Sequence, residues 1–268
     1  MDALWVYSLA VRASVVPNLI SVAIITSLFP KLSELHSVFG VESLRNAFKT
    51  STRYAAFLGF PVSLMVATLA YPIVVLFTTV QFLDAAVPLA VLCIASLPTT
   101  LGAAISPTLL TLKRTKIASL ITGVSILLAA FLSYVSLAFF NAGLGGVAFS
   151  RFFVALARFI LGAYVLWLVL KIEFDKEAVW KSAVASIVMV LSIFALELLR
   201  AIIDPSSYQF LVLRLHQLPV YAVVVVYLIS LVALKAVKKR DIELLYNYLP
   251  SRLRWIADLS NRIARVKE

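Results

Sequence analysis

The chain of 268 residues is 62% hydrophobic and 14% charged, with a mean hydropathy of +1.01 and a formal net charge of +11. Soluble domains contain about 45–50% apolar and about 25% charged residues, so this composition excludes an ordinary soluble protein. The basic residues flank apolar stretches, which the positive-inside rule explains without nucleic acid as a partner. The single cysteine, Cys93, excludes an intrachain disulfide.

Apolar stretches long enough to cross a membrane as helices fill most of the chain. They predict an all-α, polytopic transmembrane bundle of about seven helices. In chain order, the predicted spans are about 4–29, 54–77, 85–112, 117–140, 145–170, 179–203 and 210–234. Residues 1–237 are therefore predicted to form a transmembrane domain, and residues 238–268 a cytoplasmic, amphipathic and basic tail that lies against the lipid bilayer.

The Lys and Arg residues of the gaps predict an orientation. Nearly all of them follow the first, third, fifth and seventh spans, whereas the opposite gaps hold only Arg200 and Arg214. Because basic loops stay cytoplasmic, the C-terminus is predicted inside and the N-terminus outside. Only a few residues precede the first span, so we expect a preceding span to be missing. The chain is expected to be the C-terminal portion of a larger transporter, or a split or truncated gene product.

The first gap, residues 31–53, is amphipathic. Its apolar residues Val41, Leu44, Ala47 and Phe48 recur at helical spacing, opposite Glu42, Arg45 and Lys49. This pattern predicts a short helix on the cytoplasmic membrane interface.

Prolines interrupt several of the spans. They are Pro17, Pro61, Pro72, Pro88, Pro98, Pro107 and Pro219. Proline removes a backbone donor and kinks a helix, so these spans are predicted to bend. The third span has three prolines together with small and polar residues. Two interpretations stay open for it: a kinked packing helix, or the wall of a transport cavity.

Three arginines lie inside apolar stretches: Arg12, Arg151 and Arg158. A charge in hydrocarbon costs about 2.5–3.5 kcal/mol on insertion scales and usually has a function. Arg12 lies roughly 12 Å from the outer end of its span, and the seven-residue spacing puts Arg151 and Arg158 on one helix face. Two roles stay open for the three arginines. They bind an anionic substrate, or they pair with backbone carbonyls or acidic side chains of neighbouring helices. We find no pattern for a metal site, cofactor or catalytic residue, and do not expect an enzyme.

Four segments of the first half carry a family resemblance. They are Tyr7–Ala10 with Leu28–Leu35, Val41–Lys49 running into Pro61, Tyr71–Phe77, and Leu109–Lys116. In their order and spacing, these segments resemble the multidrug/oligosaccharidyl-lipid/polysaccharide (MOP) exporter superfamily. Within it, they are most similar to polysaccharide biosynthesis proteins of the O-antigen flippase type.

The resemblance implies a two-lobed fold of twelve or fourteen helices around a central cavity, of which this chain provides helices eight to fourteen. It also implies a flippase of the cell membrane that moves a lipid-linked oligosaccharide by alternating access, together with a missing or separately encoded N-terminal lobe. The pyrophosphate of that substrate is what Arg12, Arg151 and Arg158 are expected to bind. Two alternatives stay open: a drug or metabolite antiporter of the multidrug and toxin extrusion (MATE) branch, and a non-transporting fragment or scaffold of a glycan-synthesis complex.

Overall fold

A computed structural model describes residues 3–78, 80–138, 143–171, 174–203 and 220–233. All regular elements in these ranges are helical, as the sequence predicted. The helices are α1 (Ala3–Ala13), α2 (Val15–Thr68), α3 (Ala70–Phe77), a 3-10 helix (Val80–Ala85), α4 (Ala86–Leu101), α5 (Ile105–Thr111), α6 (Thr115–Ala138), α7 (Gly143–Leu170), α8 (Lys176–Ile203) and α9 (Val220–Ala233).

The described chain is a multi-pass helical membrane bundle. Four helical stretches are long and apolar enough to cross a membrane: Phe82–Thr111, Thr115–Ala138, Gly145–Leu170 and Lys176–Ala195. Two bent pairs raise the number to six: Trp5–Ala13 with Val15–Ser27, bent by 47°, and Gly40–Thr68 with Ala70–Leu76, bent by 66°. These six match the first six predicted spans. Of the seventh, 210–234, only α9 is described, and the tail 238–268 lies outside the described residues.

The helix breaks follow from prolines. Helix α1 ends four residues before Pro17, and α2 ends four residues before Pro72. The break between α4 and α5 likewise comes just before Pro107. In each case the proline lacks the N–H that would bond the carbonyl four residues earlier, and its ring crowds that carbonyl. The predicted bending is therefore confirmed before Pro17 and Pro72, whereas before Pro107 the structure shows a helix break within one membrane-length stretch.

Helix α4 continues through Pro98, and α2 continues through Pro61. The carbonyl that its missing N–H leaves free is that of Phe57, and Tyr227 Oη of α9 donates to this oxygen at 2.7 Å. Ser182 Oγ of α8 donates to the neighbouring Ala56 carbonyl at 2.8 Å and lies 3.2 Å from Tyr227 Oη. Hydroxyl groups of two other helices thus tie α8 and α9 to α2 beside the proline.

The structure corrects the prediction for residues 31–53. No separate interfacial helix forms there in the described chain; residues 41–49 begin the arm Gly40–Thr68 of α2. Leu44 and Phe48 are fully buried against α5 and α7. Leu44 and Phe48 of the apolar face therefore pack on protein rather than on the membrane surface, whereas Val41 is exposed.

Close packing joins the central helices. An added Cβ at Gly59 of α2 would lie 2.8 Å from Thr100 Cγ2 of α4, so the glycine permits this approach. Buried hydroxyl pairs link the same helices: Ser63 Oγ to Ser96 Oγ at 2.7 Å, and Ser21 Oγ to Thr100 Oγ1 at 2.8 Å. Helix α4 also packs on α7, which packs on α6. This central arrangement holds the candidate site.

Candidate functional site

A groove with a volume of about 400 Å³ opens between α1, α2, α4, α6 and α7. Small-ligand sites in proteins occupy about 300–1,000 Å³, so the groove has a suitable size. Each helix contributes residues at helical spacing. They are Tyr7, Val11, Ser14, Val15, Asn18, Leu92, Ala95, Ser96, Thr99, Thr122, Ser125, Ile126, Ala129, Arg151, Val154, Ala155 and Arg158.

Two of the three predicted site residues, Arg151 and Arg158, line this groove with exposed side chains. Their seven-residue spacing puts them about 10 Å apart along α7 on one face, as predicted. Arg158 lies at the middle of the apolar span Gly145–Leu170, far from either end. Within the described part of the chain, no hydrogen bond or ion pair engages either guanidinium. Both charges therefore remain available to a ligand.

The third predicted residue, Arg12, is exposed on α1 but does not line the groove. Its neighbour Val11 does. Successive residues of an α-helix are rotated by about 100°, which turns Arg12 to the adjacent face of α1. The structure thus brings Arg151 and Arg158 together and leaves Arg12 beside their groove.

Most polar side chains of the groove donate hydrogen bonds within their own helices; Tyr7 Oη, which is buried, has no hydrogen-bond partner among the described residues. The hydroxyls of Ser14, Thr99, Thr122 and Ser125 donate to carbonyls three or four residues earlier in their own helices, at 2.6–3.1 Å. Asn18 Nδ2 donates to the Ser14 carbonyl at 2.9 Å. Their oxygens keep lone pairs that can accept hydrogen bonds. The groove therefore offers cationic donors from arginine and neutral acceptors from hydroxyl and amide groups.

Several of these polar residues were not singled out from the sequence. Ser14 and Asn18 are four residues apart, and Thr122 and Ser125 are three apart, within otherwise apolar spans. Such spacing puts two polar groups on one helix face. This pattern in the sequence could have identified them as groove residues.

Arg158 also lines a smaller cavity of about 90 Å³ at the break between α4 and α5. Pro98, Thr99, Gly102 and Phe159 are among its other lining residues. An added Cβ at Gly102 would lie 3.1 Å from the Pro98 carbonyl oxygen and 3.4 Å from Phe159 Cδ2. The arginine thus sits where the helix wall is interrupted and packing is tight.

The described residues contain no group of three or more His, Cys, Asp or Glu side chains that could hold a metal ion. Fold and groove together define a multi-pass helical membrane protein with a largely apolar groove that carries two arginines and several hydroxyl groups. No protein-family model matches the chain, and no curated protein matches it.

Proposed function

We propose that this chain is part of a membrane exporter that translocates a lipid-linked oligosaccharide by alternating access. The observation that carries the proposal is the pair Arg151 and Arg158. Both line one groove among membrane-length helices, and both lack a partner within the described residues. A deep, unpaired charge in a membrane protein favours a substrate pathway.

The chemistry of the groove favours a phosphorylated sugar. Guanidinium groups donate paired hydrogen bonds that match phosphate oxygens. The free lone pairs of Ser14, Asn18 and Thr122 suit the hydroxyl donors of a sugar. A lipid-linked oligosaccharide pyrophosphate combines both groups. Arg12, exposed beside the groove, is an outer member of the same site in this proposal.

A second helical lobe completes the proposed transporter, because alternating access requires one repeat to move against another. The groove is only partly enclosed by the described helices, which is compatible with a second lobe facing it. The proposed arrangement has seven spans in the cell membrane, the N-terminus outside and the C-terminus in the cytoplasm. The distribution of Lys and Arg along the sequence supports it.

The charges on the groove wall bear on the alternatives. A MATE-type antiporter for cationic drugs would favour acidic groups in its cavity, whereas Arg151 and Arg158 are basic and favour an anion. The scaffold alternative makes a different prediction: the complete protein would bind its glycan partners without moving lipid.

The test uses the complete transporter, reconstituted in liposomes with a fluorescent lipid-linked oligosaccharide. Arg158→Ala removes charge-assisted hydrogen bonds of about 1.5–3 kcal/mol, so we expect binding to weaken roughly 10- to 150-fold and translocation to fall with it. Arg12→Ala should have a smaller effect. Arg114→Ala, an exposed cation outside the groove, is the matched control.

Unchanged binding and translocation by Arg158→Ala at a normal protein level would refute the proposed site. Binding without translocation by the wild-type protein would instead favour the scaffold.

A further inference from the structure

An apolar crevice separates α7 from α8, although the two helices are consecutive. Helix α7 packs on α4 and α6, whereas α8 packs on α2 and α9. The crevice between them has a volume of about 410 Å³. Its lining residues are Leu101, Phe159, Phe174, Lys176, Val179, Trp180 and Ala183. Leu101 belongs to α4, so the crevice reaches between α7 and α8 to the helix behind them.

Two side chains at the start of α8 are of types that are typical of a membrane–water interface. Lys176 is exposed, and Trp180, one turn further on, is 71% exposed. Lysine keeps its ammonium in water while its stem lies on apolar surface, and tryptophan is enriched at membrane interfaces. The mouth of the crevice is therefore placed at the level of lipid headgroups, with its apolar wall towards the acyl chains.

The charges around the mouth leave Lys176 available. Lys181 pairs with Glu177 one turn away. Asp175 Oδ1 accepts a hydrogen bond from the Ala178 amide at 3.2 Å and so caps the start of α8. Within the described residues, no hydrogen bond or ion pair engages the Lys176 ammonium. An anion from outside the protein can therefore pair with it.

We propose that this crevice binds an anionic phospholipid of the bilayer. One acyl chain lies between α7 and α8 against Leu101 and Phe159, and the headgroup phosphate pairs with the Lys176 ammonium. This site is distinct from the groove of the proposed transport function. The crevice and the groove share no lining residue, although Phe159 of the crevice also lines the small cavity beside Arg158.

Charge sets the expected selectivity. Lipid tails are already in hydrocarbon, so moving one into an apolar crevice provides little net hydrophobic gain. The preference for an anionic headgroup then comes from Lys176. We expect it to be about five-fold, which corresponds to the ~1 kcal/mol of one lysine near an anionic lipid surface.

Quenching of Trp180 by brominated acyl chains tests the site directly. In the full chain, Trp5→Phe, Trp167→Phe and Trp255→Phe leave Trp180 as the sole tryptophan. The protein is reconstituted in phosphatidylcholine vesicles with increasing brominated phosphatidylglycerol or brominated phosphatidylcholine. We expect half-maximal quenching at an about five-fold lower mole fraction of the anionic lipid.

Two variants separate headgroup from chain. Lys176→Ala should abolish the preference for phosphatidylglycerol, whereas Lys116→Ala, an exposed lysine on α6, should keep it. Ala183→Phe should fill the crevice and reduce quenching by both lipids, whereas Ala130→Phe, on an exposed position of α6, should not. Equal quenching by both lipids in the protein with Trp180 as its sole tryptophan would overturn the proposal. So would a preference that survives Lys176→Ala, or quenching that Ala183→Phe leaves unchanged.

Discussion

The hydroxyl of Tyr227 should stabilise the bundle because of a proline on another helix. Pro61 provides no N–H for the Phe57 carbonyl, and Tyr227 Oη donates to that oxygen at 2.7 Å. Tyr227→Phe leaves this partly buried acceptor without its donor. If residue 61 were alanine, its own N–H would reach the same carbonyl through the ordinary helical bond. The energetic value of the tyrosine hydroxyl should therefore depend on Pro61.

The expected magnitudes follow from this geometry. Hydrogen bonds between membrane helices are worth on average ~0.6 kcal/mol and at most ~1.7 kcal/mol. Leaving a buried acceptor unpaired costs about 1–3 kcal/mol. We therefore expect Tyr227→Phe to lower the free energy of unfolding by about 1–2 kcal/mol in the natural sequence. In a Pro61→Ala background the loss should shrink to about 0.5 kcal/mol, because the carbonyl keeps a helical donor.

A double-mutant cycle measures this coupling. The free energy of unfolding is determined by denaturing-detergent titration in mixed micelles, followed by far-UV circular dichroism, for both single variants and the double variant. We expect a coupling energy of about 1 kcal/mol, well above the ~0.3–0.5 kcal/mol within which independent sites add. Tyr134→Phe, on an exposed position of α6, is the control. An equal cost of Tyr227→Phe in both backgrounds would refute the explanation.

Two further predictions concern packing and capping. Gly59→Ala should cost about 1–3 kcal/mol of stability in the same assay, because its Cβ would meet Thr100 Cγ2 at 2.8 Å. Adding Thr100→Ser, which removes that methyl group, should restore most of the loss; Gly123→Ala, in open space, should cost nothing measurable. Arg45→Gln removes the hydrogen bond from Arg45 Nε to the Leu170 carbonyl at 2.8 Å, at the end of α7. Hydrogen exchange in the last turn of α7 should then accelerate about five-fold, as for ~1 kcal/mol; unchanged exchange would contradict this role.

Local sequence was sufficient for the long helices and for most of their bends. Apolar length predicted the first six spans, and prolines predicted the breaks before residues 17, 72 and 107. The unbroken course of α2 at Pro61 was not predictable in this way, because its compensating donor, Tyr227, belongs to a distant helix. The amphipathic face of Leu44 and Phe48 was also ambiguous. An apolar stripe has the same pattern whether protein or lipid covers it.

For the groove, too, the sequence predicted what lies within one helix but not how the helices are placed relative to one another. The shared face of Arg151 and Arg158 follows from spacing within a single helix, which sequence provides. Arg12 was grouped with them because it is equally deep in an apolar span. Depth, however, does not give the rotation of one helix relative to another, and Arg12 lies outside the groove. Asn18 lines the groove because of the rotation of α2 relative to its neighbours, and only the packing of the helices determines that rotation.

Gly40 connects the two arms of α2 with φ 74° and ψ −161°, a backbone conformation accessible essentially to glycine alone. A side chain there would meet no atom within 4 Å, so only the backbone requires the glycine. Gly40 alone connects the two helical arms, so no flexible loop lies between them. A change in the tilt of one arm must be absorbed by two dihedral angles or transmitted to the other arm. Gly40 is therefore the single residue that sets the direction of one arm of α2 relative to the other.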